Sequence, residues 1–277
     1  MNMTFNPDRY LARVGLKAGD ITPDANGLTR LQLAQTSTIP FENFEPLTGG
    51  VPALDGQSLW QKLVADRRGG YCLELNSLFG MALEAFGFEA TPVLGRVRMG
   101  APHGGPRAHH AFVVTINGEE YLADTGFGGP APVLPVRLGT QEPQNLRGET
   151  FRIRMDETSG EEVLERLNGE DWFSLYGFDR VAVSPPDYEA ANFVCARWDK
   201  SPFPHNLMMT IVTEGGRNSL FNRTLKRVRE GKTEQEDLTS FARFKEAMRD
   251  LFGLPEDEPL YRKAWDRLTA PTTAHAG

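Results

Sequence analysis

Residues 67–76 read RRGGYCLELN and open the most regular helical pattern in the chain. From Cys72 onward, apolar residues recur at intervals of three and four positions as far as residue 86. This spacing places them on one side of an α-helix, so it predicts a helix over 72–86 with one buried face. Two glycines precede the helix, and Gly87 follows it as an expected stop signal. The pattern therefore puts a cysteine in the first turn of a buried helix.

The position of Cys72 favours reactivity. In the first turn of a helix several backbone N–H groups are unpaired, and the helix dipole favours negative charge. Such a position can lower the pKa of a thiol by one to several units from about 8.5. A cysteine on an apolar helix face is, however, often only a small buried hydrophobe, so both roles stay open at this point. The other cysteine, Cys195, lies in the apolar, strand-like run 192–196 without a glycine turn beside it, and we expect it to be inert packing.

The spacing of apolar residues changes along the chain from a helical to a strand period. In the first third it predicts three more helices, at 8–14, 28–36 and 58–64. In the middle third, short runs separated by Gly, Pro and Asn predict the strands of an antiparallel sheet or barrel, at 91–98, 111–115, 120–123, 150–155 and 163–167. The last third mixes both periods, with strands predicted at 207–212, 218–224 and 225–229 and a helix at 241–252.

A thiol nucleophile needs a base, and the base needs an orienting group. Of the five histidines, His109 and His110 lead into a strand, and the returning strand ends at Asp124. The dipeptide Asn117-Gly118 between the two strands is a strong signal for a tight hairpin. An aspartate before the run Thr-Gly-Phe-Gly-Gly could also be a plain turn former, and either histidine could be a surface residue. The joint occurrence with a helix that begins at Cys72 favours the catalytic interpretation.

The register of this hairpin chooses between the two histidines. With a two-residue turn, Ile116 pairs with Glu119, and continuing the pairing places His109 opposite Gly126. Asp124 is then a diagonal neighbour on the same face, about 7–8 Å away at the backbone, whereas the next histidine points to the other face. A turn one residue longer would reverse the assignment. Because Asn-Gly suits a two-residue type I′ turn, we expect His109 to hydrogen-bond Asp124.

Composition limits the classes of partner. The 277 residues carry a net charge of −7 with a pI of about 5.4, which disfavours general binding to nucleic-acid backbones. No apolar run reaches the ~18–20 residues of a membrane span, and the N-terminus lacks the pattern of a secretory signal. Two cysteines in so long a chain suit a reducing compartment, so we expect a cytoplasmic protein without membrane or nucleic-acid partners. The tail 269–277, which includes His275, is expected to be frayed.

Taken together, these motifs resemble those of arylamine N-acetyltransferases. The similar segments are 39–43 (IPFEN), 68–76 (RGGYCLELN), 109–128, which matches without a gap, and 192–208. The resemblance extends over roughly residues 8–225 and places His109, rather than His110, at the family's catalytic histidine.

The resemblance implies an α+β fold of three modules. These are an N-terminal helical bundle (1–86) carrying the nucleophilic cysteine, a central antiparallel β-barrel (87–195) carrying the histidine and aspartate, and a C-terminal α/β lid (196–277). The resemblance also implies a catalytic core like that of papain-type cysteine proteases and transglutaminases, with Cys72, His109 and Asp124 as a triad. Helix position and hairpin register select the same three residues.

The activity that the resemblance implies is acetyl-CoA-dependent N-acetylation of arylamines, arylhydrazines or arylhydroxylamines by a ping-pong mechanism. Cys72 would take the acetyl group, coenzyme A would leave, and the acceptor nitrogen would attack the thioester. His109 would shuttle the proton while Asp124 holds its ring in position.

Acetyl-CoA would thus be a cosubstrate, with no tightly bound cofactor and no metal. The expected partners are acetyl-CoA and a small aromatic amine or hydrazine, and the protein is expected to be a monomer or a homodimer. Since the chain lacks the glycine patterns of nucleotide-binding loops, coenzyme A is expected in a cleft near residues 104–107 and the Gly126 turn.

Five further residues receive roles from the resemblance. Phe41, Phe127 and Phe203 match aromatic residues that line the acceptor pocket, where a flat aryl ring would stack. Each of these phenylalanines could equally fill the core. Arg68 and Glu42 match a pair that clamps the bundle beneath the nucleophile, which implies a buried, charge-assisted contact between them.

Three alternatives share parts of this pattern. An amide synthase within the same family would use the same triad and differ in its pocket. A cysteine hydrolase or transglutaminase-like enzyme would keep the order Cys-His-Asp but use water or a peptide amine as acceptor. A non-catalytic binding protein on the same scaffold would show no turnover to lose when Cys72 is replaced, and the intact triad disfavours this interpretation.

Overall fold

The computed structural model describes residues 5–270. It combines an N-terminal group of helices, an eight-stranded antiparallel sheet, and a five-stranded sheet backed by helices. This is the α+β fold that the sequence predicts. Most of the predicted frayed tail, including His275, lies outside the described residues. None of the helices within residues 5–270 has both the length and the apolar character needed to cross a membrane.

The N-terminal helices pack around a common core. They are α1 (Pro7–Val14), α2 (Ala25–Thr38), α3 (Phe44–Leu47), α4 (Gly56–Trp60) and α5 (Cys72–Ala85), and α4 continues into a π-helical turn at Gln61–Ala65. The four helices predicted in this part of the chain are confirmed, with small shifts of their ends. Helix α1 begins where the Asn6 side chain accepts a hydrogen bond from the Arg9 N–H, and it ends at Gly15 with a φ of 76°.

Helix α5 starts at the predicted cysteine. The Glu74 carboxylate accepts a hydrogen bond of 3.1 Å from the N–H of Tyr71, the residue before the helix. The chain turns away after Phe86 at Gly87, whose φ of 79° is a left-handed conformation that glycine adopts readily. Most apolar side chains of the helix are buried. Cys72 is therefore held at the start of a well-packed helix that contacts strands β2 and β3 of the large sheet.

The eight-stranded sheet has the order β5-β4-β3-β2-β9-β8-β7-β6. Its strands are β2 (Glu89–Val97), β3 (Arg107–Ile116), β4 (Glu119–Ala123), β5 (Val136–Arg137), β6 (Gln144–Leu146), β7 (Glu149–Asp156), β8 (Glu161–Asn168) and β9 (Asp171–Phe178). Because β5 at one edge lies beside β7 near the other edge, the sheet curls into a nearly closed barrel. The five predicted strands are present, whereas β5, β6 and β9 were not predicted.

The turn between β3 and β4 has the predicted register. Ile116 pairs with Glu119, as a two-residue turn requires. Asn117 and Gly118 have φ values of 52° and 81°, the two positive angles of a type I′ turn. The side chains of β3 therefore alternate between the two faces of the sheet as the sequence analysis assumed.

The hairpin ladder is shorter than predicted. It ends at the pair formed by Phe112 and Ala123, so the expected pairing of His109 with Gly126 is wrong. His109 instead pairs with Gly95 of β2, on the other side of β3. The physical reason is that the chain after Ala123 leaves the sheet to follow α5, which lies across this end of the strands.

Residues 192–196 are helical, and their interpretation as a strand is wrong. They belong to α6 (Pro185–Arg197), which begins with a capping box of Ser184 and Asp187 and has proline in its first turn. The buried residues of α6 are Ala191, Asn192, Cys195 and Ala196, a helical rather than an alternating spacing. Phe193, between them in the sequence, is 62% exposed.

The C-terminal part forms a second sheet and a separate core. Strands β10 (Met208–Thr213), β11 (Gly216–Phe221), β12 (Thr224–Arg229) and β13 (Lys232–Asp237) form a meander, backed by α7 (Phe241–Phe252) and α8 (Glu258–Thr269). The short strand β1 (Phe41–Glu42) pairs with β10 and ties this sheet to the N-terminal helices. The three predicted strands and α7 are confirmed, whereas β13 and α8 were not predicted.

Candidate active site

Cys72 lies where α5 meets the end of the large sheet. It is the first residue of the helix, its side chain is almost completely buried, and its thiol donates to the Ala108 carbonyl oxygen at 3.9 Å. Ala108 directly precedes His109 in β3, so the thiol lies beside this histidine, which lowers its pKa. Gly126 packs against the helix start, where a Cβ would stand 2.8 Å from the Cys72 Cα. The space beside Gly126 is thus filled by the start of α5.

His109 links the thiol to Asp124. Its Nε2 lies 2.7 Å from Asp124 Oδ2, and both side chains are 2% exposed. Since Nε2 is engaged with the carboxylate, Nδ1 is the ring nitrogen left to face Cys72. The ring packs edge-on against Tyr176, with centroids 4.6 Å apart, and against Phe127 at 5.0 Å. The structure thus brings together the three residues that the sequence selects as a triad.

The Asp124 carboxylate is held by donors from several elements. Besides His109, Oδ2 accepts from the Tyr176 hydroxyl at 2.9 Å. Oδ1 accepts from Asn76 Nδ2 at 2.9 Å and from the backbone N–H groups of Gly126 and Phe127 at 2.8 and 3.1 Å. Burial alone would raise the pKa of this carboxyl, but the attraction of His109 and these hydrogen bonds hold it below its ordinary value. Asp124 therefore remains ionised and fixes the imidazole ring.

The electrostatics of Cys72 and His109 favour proton transfer between them. A hydrogen bond with Cys195 and burial raise the pKa of the Cys72 thiol, while His109 lowers it. Burial in the core and the second thiol thus oppose the lowering of this pKa that a helix start can cause. Burial also opposes charge on His109, but the Asp124 carboxylate raises the pKa of the imidazole to about 10. The raised pKa of His109 suits this ring to accept the thiol proton, because Asp124 stabilises the imidazolium that results.

His110 occupies the opposite face of β3. Its Nε2 lies 3.3 Å from the Tyr188 hydroxyl of α6, and its ring packs against Phe112 and Tyr188. Nδ1 is buried without a hydrogen-bond partner among the described residues. Burial, and then the charge of His109, lower the pKa of His110 to about 3, so this histidine is neutral at ordinary pH. Strand parity thus separates the two histidines as the hairpin argument predicts.

The three phenylalanines lie near the triad in different ways. Phe127 packs against His109, and the Phe41 ring lies against the backbone at Gly128, where a Cβ would be 3.1 Å from it. Phe41 and Phe127 line a cleft that also reaches Asp124 and strands β10 and β11 of the C-terminal sheet. Phe203 packs against Phe41, with ring centroids 6.0 Å apart, and against Tyr71. All three rings therefore belong to one aromatic group around the helix start.

Arg68 and Glu42 form the contact that the sequence implied. Arg68 Nη2 donates to Glu42 Oε1 at 2.6 Å, and Nε donates to the same oxygen at 3.2 Å. The Glu42 carboxylate is buried and also accepts from the N–H of Phe44 at 2.9 Å. Although burial opposes it, the charge of Arg68 keeps the pKa of Glu42 below its ordinary value. The pair fastens the segment before α5 to strand β1.

Sequence reasoning missed several residues of the site. Tyr176 lies in β9, a strand that was not predicted, so no local signal placed it beside Asp124. Asn76 could have been found, because it is one helical turn after Cys72 on the same face of α5. Cys195, which we expect to be inert packing, lies close to Cys72, because both thiols donate to the Ala108 carbonyl oxygen. Within residues 5–270, no group of three or more His, Cys, Asp or Glu side chains is arranged to hold a metal ion.

A buried group of Cys, His and Asp at a helix start, set against a barrel-like sheet, is an arrangement suited to enzymes with a cysteine nucleophile. The chain matches an N-acetyltransferase family model over residues 24–260. It is 34% identical to an arylamine N-acetyltransferase from Escherichia coli (strain K12) over 269 residues, covering 96% of this chain and 95% of that relative.

Solved structures agree with this match. The arylamine N-acetyltransferase from Salmonella typhimurium superposes with a TM-score of 0.89 at 31% identity, covering 97% of this chain and 99% of that one. The Mycobacterium marinum arylamine N-acetyltransferase in complex with CoA superposes with a TM-score of 0.85 at 31% identity, covering 95% and 98% of the two chains. The chain belongs to the arylamine N-acetyltransferase family, which is a family of acyltransferases.

Proposed function

We propose that this protein transfers acetyl groups from acetyl-CoA to arylamines, arylhydrazines or arylhydroxylamines through an acetyl-Cys72 intermediate. The observation that carries the proposal is the buried group of Cys72, His109 and Asp124, in which the thiol donates to the residue before His109 and His109 Nε2 lies 2.7 Å from Asp124 Oδ2. These residues supply a nucleophile, its base and the group that orients the base. The M. marinum relative in complex with CoA supports acetyl-CoA as the donor.

In the first half-reaction His109 takes the thiol proton, and the Cys72 sulfur attacks the acetyl carbonyl carbon. A sulfur–carbon bond forms as the bond to the coenzyme A sulfur breaks, and His109 returns the proton to the leaving thiolate. Asp124, fixed by five hydrogen bonds, stabilises the imidazolium during this exchange. Acetyl-Cys72 and free coenzyme A result.

In the second half-reaction the acceptor nitrogen attacks the acetyl-Cys72 carbonyl. His109 removes a proton from the nitrogen and passes it to the departing Cys72 sulfur, so that the free enzyme is restored. The aromatic group of Phe41, Phe127 and Phe203 would hold the flat acceptor ring beside the thioester. A relative from Salmonella typhimurium is named for both arylamine N-acetylation and N-hydroxyarylamine O-acetylation, which supports including hydroxylamines among the acceptors.

Coenzyme A would enter near residues 104–107 and the Gly126 turn. In support of this location, the loop containing 104–107 leads directly into β3, which carries His109, and Gly126 packs on the Cys72 backbone. No tightly bound cofactor is required by the two half-reactions.

The division of the chain at residues 86 and 195 into bundle, barrel and lid is part of the proposal. Separate hydrophobic cores of the barrel and of the C-terminal sheet support it. The two free cysteines suit the reducing conditions of the cytoplasm, where we place the protein as a monomer or a homodimer.

The decisive experiment detects the intermediate. The protein is mixed with acetyl-CoA without an acceptor, and the mass of the intact chain and of its Cys72 peptide is followed. We expect one acetyl group on Cys72, which an arylamine or hydrazine then removes as its acetylated product. The Cys72→Ala variant, checked for folding by circular dichroism, should gain no acetyl group. Acetyl transfer that persists in this variant would contradict the proposal. Rapid loss of the acetyl group from Cys72 to water would also contradict it and would favour a hydrolase.

A further inference from the structure

The two cysteines of the chain meet in the core. Cys72 begins α5 and Cys195 lies in the last turn of α6, yet both thiols donate to the carbonyl oxygen of Ala108, at 3.9 and 3.3 Å. The two sulfur atoms can therefore be no farther apart than the sum of these two distances. In agreement with this closeness, Cys195 raises the pKa of the Cys72 thiol. Both thiols are free, and both side chains are almost completely buried.

A second contact holds the two helices in this position. The hydroxyl of Tyr71, the residue before Cys72, donates to the Asn192 side chain, which lies one helical turn before Cys195. Asn192 in turn donates to the Pro52 carbonyl oxygen at 2.8 Å. The start of α5 and the end of α6 are thus fastened to each other beside the thiol pair. The pairing of the two sulfur atoms is a fixed feature of the packing.

The two thiols differ in their access to a base. Cys72 contacts His109, whereas the thiol of Cys195 donates to a backbone carbonyl and contacts the other thiol. An electrophile that enters the site therefore reacts with Cys72 as the nucleophile, and Cys195 is the second thiol next to Cys72. Acetyl-CoA would have to reach the Cys72 sulfur in the proposed function, so a small peroxide can reach it as well.

We propose that Cys195 is a resolving thiol and that Cys72 and Cys195 form an intramolecular disulfide when Cys72 is oxidised by a hydroperoxide. In the first step the Cys72 thiolate attacks the O–O bond, a sulfur–oxygen bond forms, and the peroxide is reduced to an alcohol or water. In the second step the Cys195 sulfur attacks the Cys72 sulfenic acid, the S–O bond breaks, and water leaves with the Cys195 proton. Overall, two thiols and one hydroperoxide give one disulfide, one alcohol or water, and a further water.

The disulfide would have two effects on the enzyme. It occupies the sulfur that would otherwise be acetylated, so it stops turnover. It also removes the sulfenic acid before a second peroxide converts it to a sulfinic acid, an oxidation that thiols do not reverse. A dithiol reductant restores both thiols by exchange, so the modification is a reversible form of protection.

The test exposes the purified full-length protein to a small excess of hydrogen peroxide and compares it with the Cys195→Ala and Cys195→Ser variants. Intact mass, peptide mapping without reduction and acetyl transfer are measured before oxidation, after it, and after dithiothreitol. We expect the unsubstituted protein to lose the mass of two hydrogen atoms, to yield a linked Cys72–Cys195 peptide, and to lose and then regain nearly all its activity. The variants should gain two or three oxygen atoms at Cys72, and dithiothreitol should restore little of the activity that each variant had before oxidation.

Three outcomes would overturn the inference: oxygen addition to Cys72 in the unsubstituted protein without a linked peptide, a disulfide between two chains, or equal recovery of the variants. Peptide mapping of the unsubstituted protein detects the linked peptide without any variant. A variant that folds poorly therefore does not affect this measurement. The inference uses the reactive Cys72 of the proposed function, but the mass readout does not depend on acetyl transfer. A protein that forms the disulfide yet acetylates nothing would refute the proposed function and leave this inference standing.

Discussion

His109 Nε2 lies 2.7 Å from Asp124 Oδ2, whereas His110, the next residue of the same strand, turns its ring to Tyr188 on the opposite face. Two adjacent residues of identical chemistry thus have opposite environments. One is joined to a buried carboxylate and a thiol, and the other is enclosed by aromatic rings and stays neutral. Paired substitutions at these positions separate catalysis from packing.

The first prediction compares His109→Gln with His110→Gln. Loss of the base should lower kcat/KM for acetyl transfer by about 100- to 10,000-fold in His109→Gln, because general acid–base catalysis contributes that much. His110→Gln should change the rate far less, since its ring faces away from Cys72. Steady-state transfer from acetyl-CoA to an arylamine measures both. A larger loss for His110→Gln would refute the assignment of the base.

The second prediction concerns stability below neutral pH. The pKa of His110 falls from its ordinary 6.5 to about 3 in the folded protein, so between these values only the unfolded chain binds the proton. Stability therefore falls as the pH drops from 6.5 towards 3, and the cost from this group at pH 5 is about 2 kcal/mol. The free energy of unfolding is measured with urea at pH 7.5 and at pH 5. The loss of this free energy at the lower pH should be smaller by about 2 kcal/mol in His110→Gln than in the unsubstituted protein.

The matched control for this prediction is His205→Gln. His205 is exposed, and its substitution should leave the difference between the two pH values unchanged. An identical loss of stability in His110→Gln and in the unsubstituted protein would show that His110 is not held neutral.

The β3–β4 hairpin and helix α5, which begins at Cys72, could be predicted because their sequence signals are local. Asn117 and Gly118 specify a type I′ turn by themselves, and the alternation of side chains then fixes the face of His109. The predicted register is correct for the faces on which the side chains of β3 lie. The predicted ladder is too long, because the strands separate after Ala123. Asp124 still meets His109 because the loop folds onto α5, a long-range contact that no local pattern contains.

The remaining parts of the site depend on contacts between distant segments. Tyr176 reaches Asp124 only because β9 pairs with β2, the neighbour of the strand that carries His109. Cys195 was misplaced because a run of five residues cannot distinguish a strand from a buried helix. The signal at Ser184 and Asp187, a capping box with two prolines, was present upstream and would have predicted α6.

The third prediction tests the ion pair of Arg68 and Glu42 near the start of α5. Glu42→Gln leaves the Arg68 guanidinium without its buried partner and should lower the free energy of unfolding by about 3 kcal/mol. This is the low end for such pairs, because Asp257 lies 3.8 Å from Arg68 and can compensate in part. The double variant Glu42→Gln/Arg68→Met should recover part of the loss, since it removes the unpaired charge.

Urea unfolding of the single and double variants measures these differences. Glu234→Gln serves as the control, because it breaks an ion pair with Arg227 in which the glutamate is 71% exposed, and it should change stability little. If Glu42→Gln were no more destabilising than Glu234→Gln, the buried pair would not clamp the bundle.

The fourth prediction concerns the contact between the Gly126 loop and the start of α5. A Cβ at residue 126 would stand 2.6 Å from Asn76 Nδ2 and 2.8 Å from the Cys72 Cα and carbonyl oxygen, so Gly126→Ala must displace backbone. Overpacking of this kind costs about 1–3 kcal/mol of stability. Activity should suffer more, because Asn76 also donates to Asp124 and a shift of about 1 Å at a catalytic group can cost about 100-fold in rate. Thermal unfolding and the rate of Cys72 acetylation, followed by mass well below the unfolding temperature, separate the two effects. A variant with normal acetylation would show that the helix start can move without harm, and the contact would then serve packing alone.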